Sequence, residues 1–258
     1  FLDNHGLMLI RGRPQWRTVS GGSREYVRRI AEAVGPGRFH TDAPVQALRR
    51  DETGVSLTTG AGTRRFDQVV LATHGDQALA ILGDDASDAE RQTLGAFGYE
   101  SNRTFLHSDV ALMPRRRAVW SSWNYIGDGA QDASAKVSVT YWMNRLQNLA
   151  GRDLFVSLNP LQAPAADKVH AELTYTHPIF DGPAIAAQGR LPHIQGVLNT
   201  WFCGSYCGYG FHEDGLEAGL AVAAALGAPA PWAEEVDPAS PAARCASGAR
   251  PAPRAAAE

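Results

Sequence analysis

Between residues 204 and 215 the chain reads Gly-Ser-Tyr-Cys-Gly-Tyr-Gly-Phe-His-Glu-Asp-Gly, with glycines at 204, 208 and 210. Positions without side chains let a ligand approach the backbone, and N–H groups that such a turn leaves unpaired can receive an electron-rich acceptor. Glu213 and Asp214 then open an alanine-rich stretch, where acidic residues suit the positive end of a helix. Gly215, Gly219 and Ala223 fall at four-residue steps on one stripe of that helix. A glycine inside a helix costs about 1 kcal/mol relative to alanine, so the stripe predicts close packing against a sheet or a cofactor. A plain strand-to-helix connection explains the same residues, because glycine turns are common. His212 and Glu213 adjoin the turn and are candidates for acid or base work, with helix capping as the alternative for Glu213.

Other reactive side chains are less pointed. Cys203 and Cys207 suggest a redox dithiol or a covalent tether, yet they fall in a strand and turn expected to be buried, where free cysteines are usually inert. His107 with Asp109, and His170 with His177, match no metal-ligand spacing, so no metal site is expected. Arg115, Arg116 and Arg117 read as a solvated face, with lipid headgroups or a carboxylate substrate as the other reading.

The elements that must position these groups follow from periodicity and turn chemistry. Tyr26, Val27, Ile30, Ala31 and Val34 recur at helical spacing after Ser20-Gly21-Gly22-Ser23, and Gly35 stands where a C-cap glycine would. Residues 45–50, 55–59 and 63–66 are short, β-branched and separated by turn signals, which predicts an antiparallel meander. Residues 67–73 form an apolar run expected to be a strand buried on both faces. Helices are expected at 78–82 and 88–97, and strands of a mixed, aromatic-rich sheet at 102–106, 118–123, 137–142, 153–158 and 169–175. Residues 196–203 read as a last buried strand leading into the glycine turn and a helix that ends near Gly227. From Ala228 onward Pro, Ala, Ser and Arg dominate without periodicity, which predicts a disordered tail.

Composition narrows the function classes. The 258 residues are 44% hydrophobic and 20% charged, ordinary globular values with room for one large or two smaller domains. A formal net charge of -3 gives no attraction to polyanions, so no nucleic-acid partner is expected. Three cysteines are too few for a secreted disulfide framework, and a cytoplasmic location is expected. No apolar stretch reaches the roughly 20 residues of a spanning helix. The opening Phe1-Leu2-Asp3-Asn4-His5-Gly6 lacks the regions of a signal peptide and is taken as the start of a fragment or processed piece.

The run from Gly208 to Gly219 resembles, in residues and spacing, the C-terminal flavin motif of the flavin-containing amine oxidase superfamily, which includes monoamine oxidases, phytoene desaturases and protoporphyrinogen oxidase. The resemblance implies a turn lying along the ribityl chain and isoalloxazine of FAD. The helix N-terminus would face the N1 and C2 carbonyl edge, where negative charge gathers on reduction. Residues 16–23 are similar to the glycine pair opening the helix of the second FAD-binding segment. Val45 stands where a strand contacts the adenine end, and residues 67–73 are similar to the strand that ends beside the cofactor. Residues 121–125, 141–147 and 157–160 resemble a bacterial subgroup described as NAD/FAD-binding proteins, and the likeness covers roughly residues 1–227.

The implied FAD contacts are Gly21, Gly22, Ser23, Val45, Thr73, Gly204, Ser205, Gly210, Phe211 and His212, and the implied catalytic residues are Phe211, His212 and Glu213. Phe211 takes the position of an aromatic stacked near the flavin, or is a core phenylalanine. Two departures stand out. The family's Gly-x-Gly-x-x-Gly turn for the pyrophosphate is absent from these residues, and neither lysine, Lys136 or Lys168, lies in the strand around residues 102–106 where amine oxidases would place one near flavin N5.

The expected fold is therefore α/β, an incomplete two-domain FAD-binding fold of amine-oxidase type with interleaved FAD and substrate domains and no N-terminal Rossmann turn. Residues 1–17 would be a substrate-domain or linker piece, 18–76 and 194–227 the FAD-binding segments, 77–193 the substrate domain and 228–258 the tail. The expected activity is hydride transfer from a C–H bond of a small apolar substrate, fatty acyl or polyene, to flavin N5, with the aromatics Trp120, Trp123, Tyr125, Tyr141 and Trp142 as the hint. A strict amine oxidase acting on a C–N bond, or a non-catalytic fragment without cofactor, are the rivals. Peripheral membrane contact is compatible with the arginine run.

Overall fold

The computed structural model describes residues 11–12, 17–129, 137–232 and 240–246. Most of the expected opening piece, Lys136 and much of the expected tail lie outside them. In chain order the elements are α1 (Arg24–Val34), β1 (Ala47–Asp51), β2 (Gly54–Thr59), β3 (Gly62–Phe66), β4 (Val69–Leu71), α2 (Gly75–Leu82), α3 (Asp88–Leu94) and β5 (Tyr99–His107). There follow β6 (Trp123–Gly127), β7 (Val137–Trp142), α4 (Met143–Gln147), β8 (Phe155–Leu158), β9 (Val169–Pro178), α5 (Gly182–Gln188), β10 (Thr200–Phe202) and α6 (His212–Ala225). The chain divides into two compact units, residues 39–100 with 178–258 and residues 1–38 with 101–177. These bounds differ from the expected ones, most visibly in grouping α1 with the second unit.

In the first unit β1, β2 and β3 form the expected antiparallel meander, with Ala47 opposite Thr58 and Val55 opposite Phe66. Its first turn is made by Asp51, whose carboxylate accepts from the Thr53 amide at 2.7 Å and hydroxyl at 2.6 Å. Gly54 at φ 149° closes that turn; a Cβ there would come 2.5 Å from the Phe66 carbonyl oxygen. β4 and β10 pair in parallel, Val69 opposite Thr200 and Leu71 opposite Phe202. Around them Leu48, Val55, Leu82, Leu94, Leu191, Ile194, Trp201, Phe202 and Tyr206 join one apolar cluster. Each such side chain contributes about 1.5–3 kcal/mol on burial. Arg50 and Glu90 meet inside it at 2.6 Å with both side chains 1% exposed, tying the meander to α3.

Three expectations change here. Residues 67–73 are not buried on both faces, since Val69 and Leu71 are buried but Val70 is 40% exposed. Among the described residues that sheet has two strands, and the face that Val70 points to is left partly open. The strand expected at 196–203 is confined to Thr200–Phe202, because Gly196, Leu198 and Asn199 take left-handed φ values and the Gly196 amide turns back on the Thr200 carbonyl at 2.8 Å. The tail expected to be disordered packs in part: Ala242, Cys245 and Ala246 are buried in the same cluster as α6's Ala218 and Val222. Their small side chains fit a helix face that is itself built of small residues.

The second unit holds a five-stranded sheet in the order β6-β7-β8-β5-β9. Its apolar nucleus is small, formed by Met113, Trp120 and Phe155 with Trp142 packed against them. The strand expected at 118–123 is instead a 3-10 turn over Arg117–Val119, with the Trp120 indole donating to the Pro114 carbonyl at 2.7 Å, and pairing starts at Trp123. His107, Ser157 and Thr140 form a buried chain of contacts at 2.8 and 2.7 Å. The Asp109 amide donates to His107 Nδ1 at 3.1 Å, so the ring proton sits on Nε2 and points at Ser157 Oγ. His107 therefore cannot take a proton from Ser157, and this Ser-His-Asp neighbourhood is structural.

Candidate active site

The site is built where two parallel strands end. β4 and β10 stop side by side, and the Cys203 amide continues their ladder onto the Leu71 carbonyl at 3.2 Å. Gly204, at φ 155°, follows; a Cβ on it would lie 3.2 Å from the Thr73 carbonyl oxygen. Thr73 and Gly204, two of the expected contact residues far apart in sequence, are thus neighbours. Parallel strands whose carboxyl ends open beside a helix N-terminus are the place where α/β folds bind nucleotide cofactors.

From Gly204 the chain winds into a 3-10 turn over Ser205–Cys207. The Ser205 carbonyl accepts from the amides of Gly208 at 3.1 Å and Gly210 at 3.0 Å, and the Gly204 carbonyl accepts from Cys207 at 3.1 Å. Buried Gln188 reaches in from α5 and donates to the carbonyls of Tyr206 at 3.2 Å and Gly208 at 2.5 Å. At the start of α6 the Phe211 amide donates to the Asp214 carboxylate at 2.8 Å. That carboxylate explains Gly208, since a Cβ there would sit 2.1 Å from Asp214 Oδ1.

These bonds correct one expectation. The amides between 204 and 215 do not all face outward, because those of Cys207, Gly208, Gly210, Phe211 and Gly215 are satisfied within the protein. Helix geometry leaves the first-turn amides of α6, those of His212 and Glu213 among them, with no preceding helical carbonyl to reach. His212 and Glu213 are exposed and Phe211 is half-buried, while Gly210 is exposed on its outer side and backed by Phe180, 3.0 Å from where a Cβ would be. Glu213 and Asp214 at this end complement the helix dipole. The stripe of Gly215, Gly219 and Ala223 is only half-buried, and α6 packs instead through Ala218 and Val222.

Of the remaining expected contacts, Val45 is in this unit and Gly21, Gly22 and Ser23 are in the other. Val45 is half-buried just before the meander, whose first bond is from the Gln46 amide to the Thr58 carbonyl at 2.8 Å. Gly21 and Gly22, at φ 85° and 86°, lead into α1 in the other unit, and the Ser23 side chain makes no capping bond there.

Sequence reasoning gave none of four residues the part it plays in shaping the site. Gln188 carried no local signal, because its partners are some twenty residues away in the chain. Asp214 stands three residues after Phe211, a spacing at which a carboxylate reaches back to the N-cap amide, and it could have been found. Tyr99 accepts from the Gly75 amide at 2.7 Å and stacks on His74 at 4.5 Å, just beyond Thr73. Burial pushes the Tyr99 hydroxyl up to about 12, so it stays protonated. Tyr206 lies edge-on to Phe97, and its hydroxyl is buried without a partner among the described residues. Burial also holds that phenol well above its usual range.

Fold and geometry together are those of an α/β protein in which two parallel strands end beside a helix N-terminus. The chain belongs to the flavin containing amine oxidoreductase family, whose model matches residues 3–227. Similar solved structures include cyclohexylamine oxidase from Brevibacterium oxydans IH-35A, at 17% identity and a TM-score of 0.53, covering 86% of this chain and 56% of that one. A candidate protoporphyrinogen oxidase from Exiguobacterium sp. 255-15 matches at 13% identity and a TM-score of 0.52, covering 80% and 52% respectively. These likenesses show the fold, and the chain spans about half the length of the structures it matches. No curated protein matches the chain. Among the described residues no helix is long and apolar enough to cross a membrane, and no cluster of side chains could hold a metal ion.

Proposed function

We infer that this chain contributes the C-terminal part of the cofactor site of an FAD-dependent oxidoreductase that removes a hydride from a C–H bond of an apolar substrate. The observation that supports this most is the meeting of Thr73 and Gly204 at the ends of β4 and β10, with the first-turn amides of α6 in the same unit. Bound FAD would supply the hydride acceptor. Gly204, Ser205 and Gly210 would let its ring system approach the backbone. The amides of His212 and Glu213 would donate to the electron-rich edge, at no cost in side-chain ordering. Phe211 would face the substrate side, and exposed His212 would hold or move a proton there.

The second unit by itself holds a cavity of about 180 Å³ lined by Ala111, Leu112, Ile126, Pro160 and Leu161, whose chemistry suits an apolar ligand. Its polar lining is limited to Ser138 and Gln162, with no charged group to hold an ammonium. Lys168 is paired with Asp109 at 3.1 Å. The test is spectroscopic. Protein expressed from its complete gene should show flavin absorbance and lose it under anaerobic conditions with unsaturated fatty acids, while simple amines leave it unchanged. A preparation that stays colourless after FAD is added overturns the reading, and bleaching by amines alone moves it to C–N oxidation.

A further inference from the structure

Gln188 is the last residue of α5 and is buried, as are Ala184 and Ala187 of the same helix. The start of that helix is fixed by Asp181, whose carboxylate accepts from the Ala184 amide at 2.9 Å. From this anchored helix the Gln188 side chain reaches the two turn carbonyls, Tyr206 at 3.2 Å and Gly208 at 2.5 Å. A carbonyl only accepts, so the amide nitrogen must face both, with one N–H for each. Neither bond is local, since the partners lie 18 and 20 residues further along the chain. A trans peptide is planar, with its C=O and N–H pointing opposite ways. Holding the Tyr206 carbonyl toward α5 therefore turns the Cys207 amide the other way, where it meets the Gly204 carbonyl at 3.1 Å. The Gly208 carbonyl fixes a second plane, between the Gly208 and Gly210 amides that both close onto Ser205.

We propose that Gln188 is a positioning residue: it sets the shape of residues 204–211 and, through that shape, the affinity and reduction potential of the flavin. The flavin half of this rests on the FAD site inferred above; the shape of the turn does not. Without the two donors both peptide planes are free to rotate, and the turn has to be ordered when the flavin binds instead of beforehand, which lowers affinity. The first-turn amides of α6, which follow directly on the turn, then lose their alignment on the electron-rich edge. Fixed donors favour the form that carries the negative charge, so the reduced flavin is stabilised less than the oxidised one and the potential falls. Gln188 acts only through the backbone that it holds.

Two variants test it in protein expressed from its complete gene. Gln188→Met keeps the length of the side chain and removes the donors, whereas Gln188→Glu keeps the shape and turns an acceptor toward the two carbonyls. The Met variant should raise the FAD dissociation constant about tenfold and make the flavin potential more negative, and the Glu variant should do both more strongly. In the flavin-free protein the amides of Cys207, Gly208 and Gly210 should exchange with solvent faster in both variants, with Phe202 unchanged. Ala187→Gly loosens α5 without touching the donors, so it should lower the melting midpoint and leave the potential where it was. Failure of the wild-type protein to take up flavin sinks the FAD reading alone, and the exchange of the turn amides then decides for Gln188. Unchanged exchange, unchanged affinity and potential in variants that bind flavin, or an equal shift of potential in Ala187→Gly overturns the proposal. If neither variant folds, the side-chain NH2 of Gln188 in the wild-type protein decides: protected protons support the role, and exchange at the solvent rate overturns it.

Discussion

The two units solve the problem of an interior in opposite ways. The unit that holds the candidate site encloses one continuous apolar cluster running from Leu48 to Ala246, and its terminal helix α6 buries Ala218 and Val222. The other unit has a nucleus of three residues and buries polar side chains as well: His107, Ser157 and Thr140 bond one another, while Asn124 and Asp109 bond the backbone and Lys168. Its helix α1 buries nothing, although Tyr26, Val27, Ile30 and Val34 make it the more regular amphipathic pattern of the two helices. Periodicity predicted that α1 forms, and it does; which face is covered is a property of neighbours that the pattern does not contain. The lesson is that the site rests on a rigid apolar base, while the sheet unit depends on hydrogen-bond geometry and therefore on pH.

The largest effect should come from the exception inside the apolar unit. Glu90→Ala removes the carboxylate that pairs with the buried Arg50 guanidinium, leaving it the Asp85 carbonyl, and is expected to cost about 3–5 kcal/mol, read as the denaturation midpoint. A loss under about 1 kcal/mol would mean that water reaches Arg50 and that the unit is less dry than described. Next, Val222→Ala in α6 should cost about 1.5–3 kcal/mol, whereas Ile30→Ala in α1, at a site 54% exposed, should stay within about 0.5 kcal/mol. Equal losses would erase the contrast between the helices.

A smaller change is expected from Asp214→Ala, which strips the Phe211 amide of its acceptor and should cost about 1 kcal/mol while weakening FAD binding by fraying the first turn of α6. Unchanged flavin affinity would separate helix stability from the site. The smallest effect concerns acid. Burial holds the His107 imidazole below its ordinary range, so the unfolded chain takes up a proton near pH 6.5 that the folded unit refuses until lower pH. Stability of the sheet unit should thus be full above about pH 6.5 and fall as the pH drops below it. Melting curves of His107→Gln should lose that dependence, and the same slope persisting in the variant would place the titrating group elsewhere.

The fold was legible from sequence wherever local chemistry decides it. The meander at 47–66 follows from Asp51-Glu52-Thr53-Gly54 and Gly60-Ala61-Gly62, and these turns close within a few residues. The turn at 204–211 was visible as glycines, but their reasons were not: Gly208 is empty to make room for Asp214, and Gly210, exposed outward at φ 92°, is backed by Phe180. Asn199 shows the limit of strand reading, since its left-handed φ and its bonds to Gln68 and Asp51 end a run that looks extended in one dimension.

By itself the sequence determined the family, the alternation of helices and strands, and the position of a glycine turn before a helix that begins with acids, because each is written in spacing and side-chain type. Tertiary structure alone decided that Thr73 touches Gly204, that Gln188 consumes the turn's carbonyls, that Ala242 and Cys245 close over α6, and that α1 keeps its apolar face bare. Hydrogen bonds and burial across large sequence separations depend on which backbones end side by side, and no local pattern records that.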